Sequence, residues 1–153
     1  VIAIVQTYEA CLGFANQALR QHRLSPAGRQ ALAILDGADR PLSPTLIAER
    51  LLVTTASVTS LLDTLERRGL VTRSPDRDDR RKVLVALTSD GRRAVDEFLP
   101  QMVALQTSMV AGLTENRRHE LLDSLAAIRE AIGALDPTEV VTAAPPRRAP
   151  RRD

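Results

Sequence analysis

Residues 43–88 read SPTLIAERLLVTTASVTSLLDTLERRGLVTRSPDRDDRRKVLVALT, and the hydrophobic period changes along them. Leu46, Ile47 and Leu51 recur at helical spacing. They follow Ser43, a good N-cap residue, and Pro44, well placed in a first helical turn. A second helix is predicted from Thr54, because Val58, Leu61, Leu62 and Leu65 form a stripe repeating every three or four residues. Gly69 ends it, as glycine does where the chain needs a left-handed residue past the last turn. The period then drops to two. Residues 70–73 and 83–87 are β-prone runs, and the polar, charged stretch 74–82 between them carries turn formers. Two helices, a tight turn, then strand, charged loop and strand make a winged helix-turn-helix. The helix at 54–68 is of a size to enter a DNA major groove, and a hairpin wing reaches an adjacent minor groove.

The same stretch resembles the MarR family of winged-helix transcriptional regulators. The resemblance is carried by Leu46-Ile47-Ala48-Glu49-Arg50-Leu51, Ser57-Val58-Thr59 and Leu65-Glu66-Arg67-Arg68-Gly69-Leu70-Val71. Its most specific part is Asp79-Arg80-Arg81-Lys82-Val83-Leu84-Val85 leading into Leu87-Thr88-Ser89-Asp90-Gly91, which is similar to the family's wing and its exit into the next helix. With the flanking helices in the family's order, the resemblance covers residues 1–136. It departs from the family at Leu52, where glycine is frequent in the inter-helix turn, and at Ser60, where a longer arginine reader is frequent.

Outside this stretch the chain is apolar enough to bury a core, with 44% hydrophobic residues among 153. Aromatics are only 2%, so aliphatic side chains must do the packing. No apolar run reaches the length of a membrane span. Val1-Ile2-Ala3-Ile4-Val5 lacks the basic flank and cleavage site of a signal peptide, and a start without Met fits a slightly trimmed chain. One cysteine cannot form an internal disulfide, which suits a reducing cytoplasm. The net charge of +2 resides in the tail, where Arg147, Arg148, Arg151 and Arg152 outnumber Glu139 and Asp153; residues 1–136 sum to zero. Any positive potential in the globular part is therefore local, on Arg67, Arg68, Arg73 and the wing.

Residues 1–21 read as an amphipathic helix with Ile4, Tyr8, Cys11, Leu12, Ala15 and Leu19 on one face. Ser25-Pro26 starts another, stopped at Gly37, and Leu42 is expected to pair briefly with the wing. A long helix follows from Ser89 to Ala111, with a seam at Val95, Phe98, Met102, Leu105 and Met109 and a kink expected at Pro100. Thr114 caps a last helix bearing Leu121, Leu125, Ile128, Ile132 and Leu135. The expected fold is mainly α with a small β-hairpin wing. A winged helix-turn-helix lobe at 25–88 joins dimerisation helices at 1–21 and 89–136 in a single domain, 1–136. The apolar stripes exceed what one small lobe can cover, so a homodimer is expected, with two recognition helices for a pseudo-palindromic double-stranded site. The Pro- and Arg-rich residues 137–153 read as a disordered, solvated tail.

The expected DNA-binding residues begin with Thr54, Thr55, Ser57, Thr59 and Ser60, whose hydroxyls suit phosphates or base edges; Thr54 serves equally as a plain N-cap. Arg67 and Arg68 suit either phosphate clamps or the negative end of the helix. The resemblance implies that Arg81 enters the minor groove, with Asp79 or Asp76 orienting its guanidinium through a bidentate pair. Arg77, Arg80 and Lys82 complete the wing's cations, the first two as phosphate contacts. It also implies a small-molecule effector of aromatic-acid type in a cleft beside His22, with Arg20 or Arg23 as carboxylate partner. A cysteine near the N-terminus suits redox sensing in some members, but Cys11 reads better as apolar packing. No catalytic, cofactor or metal-ligand spacing is visible. The sequence is thus read as a non-enzymatic, cytoplasmic, ligand-relieved repressor. The alternatives are a winged-helix module that binds protein, or a redox-sensing repressor acting through Cys11.

Overall fold

The computed structural model describes residues 2–136; the tail at 137–153, read above as disordered, lies outside them. Six helices and one hairpin follow in order: α1 (Ile2–Ala18), a 3-10 turn (Arg20–His22), α2 (Pro26–Asp36), α3 (Pro44–Leu51), α4 (Thr55–Arg67), β1 (Val71–Pro75), β2 (Val83–Leu87), α5 (Ser89–Met109) and α6 (Glu115–Gly133). They form two compact units, one ending at Met109 and one beginning at Val110. Among the described residues no single helix is long and apolar enough to cross a membrane.

In the first unit, three helices start on the hydroxyl caps the sequence offers. Ser25 Oγ accepts from the Gly28 N–H at 3.1 Å, Ser43 Oγ from Leu46 at 3.3 Å and Thr54 Oγ1 from Ser57 at 3.2 Å. Each such cap contributes about 1 kcal/mol to its helix. The ends differ. Gly69 takes φ +69° after α4, as its position requires, whereas α3 is closed by Leu52 at φ 56°. The inter-helix turn thus has the left-handed geometry a glycine adopts freely, imposed here on a branched side chain that is 78% exposed.

β1 and β2 pair antiparallel from Val71↔Leu87 to Pro75↔Val83. The first strand runs two residues further than its pattern suggests. Proline is tolerated there because, among the described residues, β1 is an edge strand with β2 as its one neighbour. Leu42 lies on the other side of β2, its N–H and carbonyl bonded to Val85 at 3.0 and 2.8 Å, as the sequence predicts.

The core collects where α2, α3, α4, the hairpin and the first half of α5 meet. Leu32, Ile47, Val58, Leu62, Val85, Val95 and Phe98 are wholly excluded from solvent there, each removal contributing about 1.5–3 kcal/mol. This divides the seam expected along α5. Val95 and Phe98 are consumed inside the lobe, Met102 and Leu105 are half-buried, and Val103 and Met109 are exposed. The helix continues through Pro100 without a break. On α1 no residue is fully buried, and Ile2, Ile4, Val5, Tyr8 and Phe14 are exposed, so only its second half leans on the lobe.

The second unit holds α6, capped by Thr114, whose Oγ1 accepts from Arg117 at 3.4 Å. Leu121, Leu122, Ile128 and Ile132 stand exposed on it.

Candidate nucleic-acid interface

α4 stands on three buried residues, Val58, Leu62 and Leu65, which turn its opposite face outward. Thr54, Thr55, Ser57, Thr59 and Ser60 are all exposed on that face, but their hydroxyls are not equally available. Thr59 donates to the Thr55 carbonyl at 3.0 Å and Ser60 to the Ala56 carbonyl at 3.5 Å, while Thr54 and Ser57 share a bond of 2.9 Å. A hydroxyl has one proton to donate. Among the described residues, Thr55 and one member of the Thr54–Ser57 pair keep a proton uncommitted. At the helix end, Arg67 donates to Thr64 Oγ1 at 3.2 Å, and Arg68 donates to the Arg23 carbonyl at 2.7 Å. Arg68 therefore ties α4 to the segment before α2.

The wing tip is shaped by its aspartates. Asp76 Oδ1 accepts the Asp78 N–H at 2.9 Å, Asp79 Oδ1 accepts the Arg81 N–H at 3.2 Å, and the Asp76 N–H meets the Lys82 carbonyl at 2.9 Å. The bidentate pairing expected for Arg81 is not formed. Its Nε reaches the same single oxygen, Asp79 Oδ1, at 3.3 Å, and the second oxygen faces Lys82 Nζ at 3.8 Å. An oxygen already spent on a backbone N–H holds the stem of the guanidinium and leaves its fork open. The Arg81 side chain is 93% exposed, and Arg77 and Arg80 are exposed without a partner among the described residues. A groove of about 630 Å³ runs beneath this tip to the start of α3, with Arg40, Arg77 and Lys82 on its rim.

Arg73, counted above toward the positive potential, is neutralised instead. Its Nη1 lies 2.7 Å from Asp63 Oδ1 and 3.0 Å from Glu66 Oε2, and its Nη2 lies 3.4 Å from the Thr59 carbonyl. Sequence reading missed this bond, although a cue was present: two acids one turn apart on α4, and an arginine at an alternating position of the next strand.

Arg20, His22 and Arg23 are not on the wall of the cavity that α1 forms with α2 and α5. Arg20 is exposed. His22 makes a 3.3 Å contact with Gln101 and sets its ring edgewise on Phe98, and Arg23 sits in the left-handed region at φ 51°. The cavity on this side, about 180 Å³, is lined by α1, α2 and α5, with Tyr8, Cys11, Leu12, Arg29, Met102 and Gln106 on its wall. Its basic residue is Arg29, only 4% exposed. The guanidinium donates to the Leu24 carbonyl at 2.7 Å and to Asn16 Oδ1 at 3.0 Å. Both acceptors are neutral, and desolvation lowers its pKa. Sequence reading passed over it because an arginine within an amphipathic helix ordinarily faces water.

Residues 24–82 match the MarR family, a span that takes in α2, α3, α4, β1 and the wing tip. The HTH-type transcriptional repressor YetL of Bacillus subtilis is 37% identical over 92 residues, 60% of this chain and 53% of that protein, so the match spans about half of its length. The HTH-type transcriptional regulator YdgJ of the same organism, itself uncharacterised, is 30% identical over 129 residues, covering 84% of this chain and 72% of that protein. Among solved structures, CouR from Rhodococcus jostii RHA1 bound to p-coumaroyl-CoA superposes with a TM-score of 0.76 at 26% identity, over 82% of this chain and 88% of that one. Matched in its winged lobe by the family and along most of its length by YdgJ, the chain belongs to the MarR family of winged-helix, DNA-binding transcriptional regulators.

Proposed function

We propose that this protein is a homodimeric, cytoplasmic repressor of pseudo-palindromic double-stranded DNA, relieved by a small carboxylate-bearing aromatic molecule. The observation that carries the DNA reading is that one lobe presents two uncommitted sets of donors side by side. These are the Thr55 hydroxyl at the start of α4, and the open guanidinium forks of Arg77, Arg80 and Arg81 on the wing. A helix start in the major groove with cations in the flanking minor groove uses both sets at once. Thr54, Ser57, Thr59 and Ser60 supply acceptors and methyl surface beside it, and Arg67 and Lys82 lie within reach of phosphates. Asp76 and Asp79 act on the wing by shaping its backbone.

Support for a dimer comes from apolar side chains that each unit leaves in water, on α1, the end of α5, and α6. Two copies would place their recognition helices in successive major grooves, about 34 Å apart. The effector reading rests on Arg29. A buried cation held only by neutral acceptors, at the wall of an otherwise mostly apolar cavity, favours an anion with a flat apolar body. CouR, one of the structural neighbours, was solved bound to p-coumaroyl-CoA.

The test is selection of genomic fragments by the purified protein, then footprinting of the best fragment. A two-fold footprint with half-sites one helical turn apart supports the reading. Retention of no fragment above a scrambled duplex overturns it and favours a protein-binding module. Hydroxybenzoates and hydroxycinnamates should release the duplex while their primary amides do not, and equal release by both would remove Arg29 from the effector site. Oxidant sensitivity abolished by Cys11→Ser would favour the redox alternative.

A further inference from the structure

We propose that Arg73 is a positioning residue for DNA engagement: it sets the wing against α4 and does not itself touch DNA. The inference rests on the DNA reading above and goes beyond it. Arg73 projects from β1 onto α4, where one of its nitrogens bridges Asp63 and Glu66, three residues apart and so on one face of the helix. Its other terminal nitrogen turns to the Thr59 carbonyl. Among the described residues this is the one ionic link between the wing strands and α4. Beside it, Val71 shares one buried apolar cluster with Val58, Leu62 and Leu65 of α4, and apolar packing is non-directional. A planar guanidinium held at three acceptors fixes an angle as well as a distance.

That angle matters because of where the wing cations sit. Arg77 lies four residues beyond Arg73 and two past the end of β1, so a rotation of β1 about its foot is carried outward to the tip. Through the paired register, Ser74 and Pro75 carry this setting to Leu84 and Val83 and hence to the return limb of the tip. The bridge also changes the face α4 offers to DNA. Asp63 and Glu66 are partly exposed, at 47% and 39% of their side chains, and Arg73 offsets charge that would otherwise repel phosphate. Arg73 itself has its forked end committed to α4 and is only 26% exposed, unlike the open forks at the tip.

The experiment uses the full chain and two duplexes: the footprinted one, and the same half-sites with G·C-rich flanks where the wings would lie. The parent should prefer its native flanks, and Arg81→Ala should lose that preference. Arg73→Met and Asp63→Asn/Glu66→Gln break the bridge from opposite sides. Each should weaken binding to the native flanks by about tenfold, with flank preference lost. Adding Arg73→Met to Arg81→Ala should cost less than about twofold more, since the wing is already disengaged. Arg73→Lys, a cation without the fork, should restore part of the preference.

The acidic double variant settles the sign. If its removed charge acted only by repulsion, affinity would rise on both duplexes and the bridge would be merely electrostatic. Additive losses for Arg73→Met and Arg81→Ala, equal on both flanks, would make Arg73 a direct contact and overturn the proposal. Unchanged flank preference in both bridge variants would leave Arg73 as a purely structural residue. Should Arg73→Met fail to fold, the acidic pair and Arg73→Lys carry the same decision. A parent that binds neither duplex overturns the DNA reading; a parent that discriminates flanks beside bridge variants that do so equally well overturns the bridge alone.

Discussion

A Cβ on Gly91 would overlap the carbonyl oxygen of Leu70. The first turn of α5 is therefore laid directly on the backbone that leaves α4. Thr88 fastens the same junction: its Oγ1 donates to the Gly69 carbonyl at 2.6 Å and accepts the Gly91 N–H at 3.0 Å. This is the physical content of the Leu-Thr-x-x-Gly exit after the wing. Gly91→Ala must push two backbones apart, with no flexible side chain to absorb the shift. It should cost about 3 kcal/mol, at the upper end of overpacking penalties, seen as a lower urea midpoint. A loss within experimental error would show that the junction is looser than this contact implies.

Leu52 offers the opposite sign. It caps α3 in a left-handed conformation with its side chain in solvent. Leu52→Gly should raise stability by about 1 kcal/mol, the relieved backbone strain exceeding the extra chain entropy of glycine. The chemical denaturation midpoint should rise with unchanged m-value, and Leu52→Ala should give no such gain.

The wing arginines separate by role. Arg81→Ala should cost about 1–3 kcal/mol of DNA affinity and relax the flank preference. Arg77→Ala should weaken all duplexes alike and reduce the salt slope by about 1. Binding titrations over a range of salt read both, and identical profiles for the two variants would refute the division.

Arg29 carries a sign that can be worked through. Burial lowers its folded-state pKa, and for a cation this is a cost to folding wherever the group is charged in both states. That cost is constant while both states are charged and is relieved only as pH rises through the lowered value toward the ordinary arginine value. Arg29→Met should therefore shift stability by the same amount at about pH 6 and about pH 8. The loss of bonds to Leu24 and Asn16 opposes the gain from removing a buried charge. Its clear effect should be on release of DNA by carboxylates, which should disappear.

Phe98 and Ile132 test the two fates of apolar residues on the long helices. Phe98→Ala opens the lobe's core and should cost about 3–5 kcal/mol. Ile132→Glu changes a residue 63% exposed, and should leave the thermal stability of the winged lobe nearly intact while shifting sedimentation toward monomer. If Ile132→Glu sediments like the parent, α6 does not pair the copies.

The chain itself carried the order of elements. Hydroxyl caps at Ser25, Ser43 and Thr54, the glycine after α4 and the switch from helical to alternating period are local signals, set by interactions within a few residues. They are legible before any fold exists, and so was the short pairing of Leu42 with the wing. The extra length of β1 was not, because Ser74 and Pro75 are held by their partners on β2 and not by their own preference.

The side chains of the candidate sites were decided by tertiary structure. Nothing local marks Arg73 as bound to α4 while Arg81 stays open, or marks Arg29 as the buried cation while Arg20 stays in water. All four are arginines, and their fates depend on which surface the fold brings against them. The same holds for α5, where one apolar stripe is split between core and solvent because the lobe covers only Val95 and Phe98 completely. Periodicity reports that a face must be covered, and only packing determines what covers it.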